Sequence, residues 1–249
     1  MARLKDSSVI VDSNGEEKEI WRDGATGGNV RVVNGVVNAA AFDDLETARN
    51  YANSQSYSTI FLPEGTYNVD SLTDGQLRPA DGQTWIGSNP ETTIIETTVD
   101  SNTAVRLSRS NVTIRGIGIQ ADGVGIGFSG SEVDNLVERC IIHESGGDSI
   151  SVDGEAAIVD KTIVKPNAGR VFMNGGTLDT CEVSGQVYVN LSECRVIGSR
   201  VGDGSTTAVR FDDSSGDSLI DGCIVDGEVS VSGSATGIEQ GTNVILGTS

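Results

Sequence analysis

The chain has 249 residues, 36 acidic against 17 basic, giving a formal net charge of −19 with 37% apolar and 4% aromatic residues. A chain of this length and apolar content supports one self-sufficient core and excludes disorder. The singly scattered arginines exclude a nucleic-acid partner gripped through its phosphates, and the lack of any run of about 18 apolar residues excludes membrane insertion.

Only four lysines occur (Lys5, Lys18, Lys161, Lys165), while Asp, Ser, Thr and Val are plentiful. That balance resembles the proteins of extreme halophiles. At molar salt the Debye length shrinks to about 3 Å, so self-repulsion fades while carboxylates keep the surface hydrated. A high-salt environment is therefore expected.

In chain order, residues 1–38 come first and lie outside any repeat. Met1 to Ser8 is polar, without a signal-peptide stretch, and Val9-Ile10-Val11, Trp21 and Val30-Arg31-Val32-Val33 read as one or two strands between Gly-rich turns. This segment is expected either to attach to other proteins or to cap the open N-terminal end of the repeats. The stretch Phe42 to Ala52 reads as a short amphipathic helix, with Asp43 and Glu46 at capping-box spacing. After Ile60-Phe61-Leu62-Pro63-Glu64-Gly65-Thr66-Tyr67 come Leu77, Trp85-Ile86-Gly87 and Asn111-Val112-Thr113-Ile114-Arg115-Gly116-Ile117.

From residue 104 a period-two triplet recurs every 16 to 24 residues: Val105-Arg106-Leu107, Ile126-Gly127-Phe128, Ile150-Ser151-Val152, Val171-Phe172-Met173, Val187-Tyr188-Val189, Val209-Arg210-Phe211 and Val229-Ser230-Val231. Each reads as a strand with one buried face. The next residue is always short and polar (Ser108, Ser129, Asp153, Asn174, Asn190, Asp212, Ser232), as in a stacked turn. A second pattern recurs in each repeat, Ile114/Ile117/Ile119, Val137/Cys140/Ile142, Val159/Thr162/Val164, Leu178/Cys181/Val183, Leu191/Cys194/Val196 and Ile220/Cys223/Val225, and reads as a second inward face. Such repeats bury their apolar faces only by stacking on one another, which predicts a parallel β-helix over residues 39–249.

The helix, the Ile60 to Tyr67 stretch, the Asn111 to Ile117 stretch and the repeat resemble the right-handed parallel β-helix superfamily of pectate lyases, and especially its phage tailspike branch. The resemblance implies an all-β, single-stranded parallel solenoid with a helix plugging its N-terminal end. It specifies fold more than function, because lyases, hydrolases, adhesins and viral spikes share it.

For chemistry the sequence offers little. Cys140, Cys181, Cys194 and Cys223 share one register position in the repeat, so they read as stacked core residues, with a Cys181 to Cys194 bridge as the alternative; no metal site is expected. His143, the single histidine, reads as a solvated turn residue. Asp148, Asp212 and Asp213 are the catalytic candidates if the protein is a glycan-cleaving enzyme, since such chemistry needs paired carboxylates. The Gly146-Gly147-Asp148-Ser149-Ile150 stretch is faintly similar to a polygalacturonase active-site strand, but that family's Gly-His-Gly and Arg-x-Lys segments, and the pectate lyase Arg and calcium-binding Asp pattern, are missing.

Between the inward residues of the triplets lie the outward ones, Arg106, Gly127, Ser151, Phe172, Tyr188, Arg210 and Ser230. Phe172 beside Tyr188 makes an exposed aromatic pair, and with Arg106 and Arg210 it is the expected binding or oligomer interface. The functional expectation is a virion protein of a halophilic archaeal virus: a spike, tail fibre or capsid-vertex component, trimeric, with no cofactor. It would contact other virion proteins through residues 1–38 and reach a host surface glycan or S-layer glycoprotein. The alternative is a polysaccharide lyase or glycoside hydrolase acting on acidic surface glycans.

Overall fold

Segments of two to five residues with alternating apolar side chains must each hide one face, and none is long enough to do so alone. The computed structural model, which describes residues 9–11, 17–19, 31–129, 134–154, 156–191, 193–203, 207–212 and 216–246, winds them into a parallel β-solenoid. Each full turn contributes one strand to each of three sheets. Thr113–Arg115, Gly118–Ala121 and Val124–Phe128 make one turn, and Leu136–Glu138, Ile141–Ser145 and Ile150–Asp153 the next. Equivalent strands pair in parallel from turn to turn. Among the described residues the second sheet has nine strands and the third seven, while the first has eleven because a hairpin extends it.

The turn therefore holds three strands, where the sequence pattern suggested two. The triplets form the third sheet in the expected register, Val105 beside Ile126, Ile150 beside Val171, Val187 beside Val209. The second pattern is split: Ile114 lies in the first sheet and Ile119 in the second, with the middle residue at the corner between them. That corner bends within one or two residues because its outer residue adopts a left-handed conformation in successive turns, at Gly116, Arg139, Lys161, Thr180, Gly198 and Gly222 (φ between 47° and 65°). Each of these residues donates its N–H to a backbone carbonyl of the next turn, as Lys161 does to Asp179 at 3.1 Å.

The inner corner column runs Ile117, Cys140, Thr162, Cys181, Ser199, Cys223. Its polar members keep the interior satisfied. The N–H of Cys140 donates to Thr162 Oγ1 (3.3 Å), that of Cys181 to Ser199 Oγ (3.0 Å) and that of Cys223 to Asn243 Oδ1 (3.0 Å). The thiols reach back to carbonyls of the preceding turn, Cys181 to Val159 at 3.4 Å. Cys194 is a correction: Val196 pairs with Leu178, so Ser199 occupies the shared position in that turn. Cys194 instead sits at the corner before the first sheet, where its N–H meets Ser218 Oγ (3.2 Å). All four cysteines are buried thiols, and the bridge between Cys181 and Cys194 is not formed.

At the N-terminal end, Val36–Asn38 pairs in parallel with Thr59–Leu62, and its hairpin partner Val32–Val33 closes the edge. The last residues of the segment 1–38 thus belong to the first sheet. Val9–Val11 and Glu17–Glu19 form a separate antiparallel pair, and Trp21 lies outside the described residues. Helix α1 (Leu45–Ser54) buries Leu45, Ala48 and Ala52 against the solenoid end, a one-sided spacing suited to a plug. Its cap is Asp44, whose carboxylate accepts the Thr47 N–H at 2.6 Å, and not Asp43. Glu46 turns away to accept from the N–H and hydroxyl of Thr73.

Candidate functional site on the outer face of the third sheet

Strict alternation along the third sheet sends Val105, Ile126, Ile150, Val171, Val187 and Val209 into the core. Arg106, Gly127, Ser151, Phe172, Tyr188, Arg210 and Ser230 consequently form one outward column, each aligned with the next by strand pairing. Turns repeat at about 4.8 Å, close to the separation at which aromatic rings stack. Phe172 and Tyr188 do so, with centroids 5.5 Å apart and ring planes 14° from parallel.

The rings are not left as an open apolar patch. The Arg170 guanidinium lies 5.2 Å from the Phe172 centroid and 5.0 Å from that of Tyr188, and Arg210 covers Tyr188 at 5.3 Å. Such contacts favour a cation over the negative ring face. Arg170 is further held by Asp148, which accepts its Nε–H at 2.7 Å. On the opposite flank the Tyr188 hydroxyl donates to Asp212, and this hydrogen bond pushes the phenol above its usual range. The surface thus presents two guanidinium groups on a two-ring base, edged by two carboxylates.

Asp148 and Asp212 share this surface without meeting. Asp148 precedes the strand Ile150–Asp153 and Asp212 comes after the strand Thr207–Phe211, three turns further on. Each carboxylate is engaged with a different group of the surface, Asp148 with the Arg170 guanidinium and Asp212 with the Tyr188 hydroxyl. Asp213 lies outside the described residues. Arg106 is five turns from Arg210, and its guanidinium lies over Gly127, 3.1 Å from where a Cβ would sit.

The turn-ladder residues are bound sideways as well as along the backbone. Asn190 donates to Asn174 at 2.9 Å, while the left-handed residues lie at the corners flanking the first sheet. Arg170 has no repeat signature of its own in the sequence, although it stands two residues before Phe172 and so shares its face.

The remaining candidates are structural. The thiol of Cys140 is pushed up to about 12 by burial and that of Cys181 likewise to about 12, so neither supplies a thiolate. His143 lies in the strand Ile141–Ser145, at a bulge where pairing steps from Ile119↔Ile142 to Gln120↔Glu144, and not in a turn. Its Nε2 is 3.0 Å from the Pro90 carbonyl and 3.8 Å from Glu91. Gly146 is required by packing: a Cβ there would come within 2.0 Å of the Asp122 carbonyl, whereas one on Gly147 would stand 3.3 Å from the Gly123 carbonyl. A depression of about 430 Å³ beside them is lined by Asp100, Asp122 and Glu144. Among the described residues no group of three His, Cys, Asp or Glu side chains is arranged to hold a metal ion.

No family model matches the chain, and no curated protein does. Among solved structures it is similar to the A-module of the mannuronan C-5 epimerase AlgE4 of Azotobacter vinelandii, with a TM-score of 0.45 and 11% identity over 84% of this chain and 97% of that one. It is also similar to ORF18 of Geobacillus virus E2, with a TM-score of 0.42 and 11% identity over 85% of this chain, spanning 61% of the viral chain.

Proposed function

We propose that this protein is a structural component of a virus particle of halophilic archaea, a spike, tail fibre or capsid-vertex element that displays its solenoid as an oligomer for host attachment. The observation that carries the reading is the outward column of the third sheet. Its rings and guanidiniums are fixed by strand pairing before any partner arrives, so contact costs little ordering entropy. Asp148 and Asp212 are occupied in holding that surface together, which favours a contact surface over the glycan-cleaving alternative. The acidic, lysine-poor exterior suits molar salt, and residues 1–38 are the natural attachment to other virion proteins.

The test is the molar mass by light scattering in multimolar salt, paired with retention of the labelled protein on purified haloarchaeal S-layer glycoprotein. A closed oligomer, with a trimer expected, that is retained supports the reading. A monomer that ignores the host surface, or release of oligosaccharides from it, rejects it.

A further inference from the structure

Beyond that reading, and without depending on it, we infer that the C-terminal end of the solenoid docks on the same end of a second copy, the two lying end to end about a two-fold axis perpendicular to their length. Among the described residues the three sheets stop together on one turn, the third on Glu228–Val231, the first on Glu239–Gln240 and the second on Val244–Leu246, each paired on one side alone. That turn leaves the core open. The inward position of the second sheet is buried at Val164, Val183, Val201 and Val225, yet its next member, Ile245, is 53% exposed. Val244 and Leu246 beside it are 56% and 42% exposed, and Val231 of the third sheet is 39% exposed. The opposite end is covered by α1 and the hairpin of Val32–Val33 with Val36–Asn38.

Composition singles out the same turn. Residues 227–246 hold two charged side chains, Glu228 and Glu239, against six in the twenty residues before them, and they hold no lysine, arginine or proline. Edge strands that face solvent are ordinarily blunted by such residues, whereas loss of charge around an apolar centre marks the middle of an interface. The carboxylates of the preceding turn that lie nearest are engaged within the chain: Asp221 accepts the Thr242 N–H at 2.8 Å, and Asp226 faces Arg200 at 4.0 Å.

Geometry chooses the occupant. A single foreign strand would pair with one of the three edges and leave the other two, with the open core between them, to water. A second copy brings three edges in the same outline. Every turn winds in one sense, and a two-fold axis across the solenoid reverses that sense, so all three edges meet their partners antiparallel. The axis that sets Glu228–Val231 against its own copy sets Glu239–Gln240 against Val244–Leu246 of the other copy. Neither glutamate then opposes its like, since Glu228 faces Val231 and Glu239 faces an apolar strand. Head-to-tail stacking is blocked by α1, so the contact is isologous and stops at two copies. With a rise of about 3.3 Å per residue, a twenty-residue turn and its side chains bound an end face on the order of 600 Å², and two such faces reach about 1,200 Å², the lower edge of stable interfaces.

The experiment uses the 249-residue chain in multimolar salt and compares the wild type with V244E/L246E and with E228C/V231C, each shown to be folded by circular dichroism. Sedimentation equilibrium is expected to give the wild type twice the mass of V244E/L246E at equal concentration, through a rise of about a hundred-fold or more in the dissociation constant of the end contact. The halving is read whatever other contacts a larger assembly contains. Mild oxidation of E228C/V231C is expected to give a disulfide-linked dimer on a non-reducing gel, because opposed residues of an antiparallel pair stand at disulfide distance, while the wild type, with its thiols buried, gives none. Equal masses for the wild type and folded V244E/L246E overturn the end contact and leave the display reading standing. A doubled mass without the cross-link overturns the two-fold geometry. An end-to-end dimer that ignores the host S-layer glycoprotein upholds this inference and rejects that reading.

Discussion

Left-handed corners are cheap only for glycine, and this solenoid places Arg139, Lys161 and Thr180 in three of them. A β-branched residue there carries about 1–2 kcal/mol of strain, part of which glycine offsets by its larger unfolded-state entropy. Thr180→Gly is therefore expected to stabilise by about 0.5–1 kcal/mol and to raise the melting temperature by a few degrees; an unchanged or lower value in calorimetry would refute the strain. Asp70 gives a pH signature. Its carboxylate accepts from the hydroxyls of Thr97 and Thr98, which with the Thr98 N–H hold it down at about 2. Because the folded value lies below the usual one, its contribution to stability is complete above about pH 4 and is lost as pH falls toward 2. Asp70→Asn should flatten the melting temperature in that window. A profile as steep as the wild type's would assign the acid sensitivity elsewhere.

Element by element, the sequence revealed periodicity better than corners. Triplets such as Val171-Phe172-Met173 carry their strand on their face, because alternation is local. The first and second sheets share five-residue spacings such as Val137 to Ile142, and a one-residue bend in the middle leaves no polar loop to announce it. That is why two strands read as one. The slip at Cys194 has the same origin: Leu191/Cys194/Val196 satisfies the pattern, but pairing follows Val196 and Val201. The stacked ring pair was legible from parity alone, whereas its arginine cover was not, since Arg170 enters from the loop end of its strand. At α1 the structure separates two adjacent acids. Asp44→Ala should cost about 1 kcal/mol in urea denaturation, with Asp43→Ala near zero. Equal losses would mean that neither carboxylate caps the helix.

For the molecule as a whole, charge and architecture pull in different directions. Repulsion at −19 acts over the entire exterior, whereas cohesion is a sum of contacts between neighbouring turns. Salt that screens the first leaves the second intact, so the melting temperature should rise steadily from dilute buffer to several molar sodium chloride. A value indifferent to salt would remove the halophilic reading of the composition.

The corner between the first and second sheets keeps one spacing from residue 114 onward, Ile114 to Ile119, Val159 to Val164, Ile220 to Val225. Differences in turn length fall instead on the chain entering and leaving the third sheet. Insertions and deletions are thereby confined to the two banks of the face that carries Phe172, Tyr188 and Arg210. Descendants of this chain can redraw the outline of that face, one loop at a time, without moving its grid.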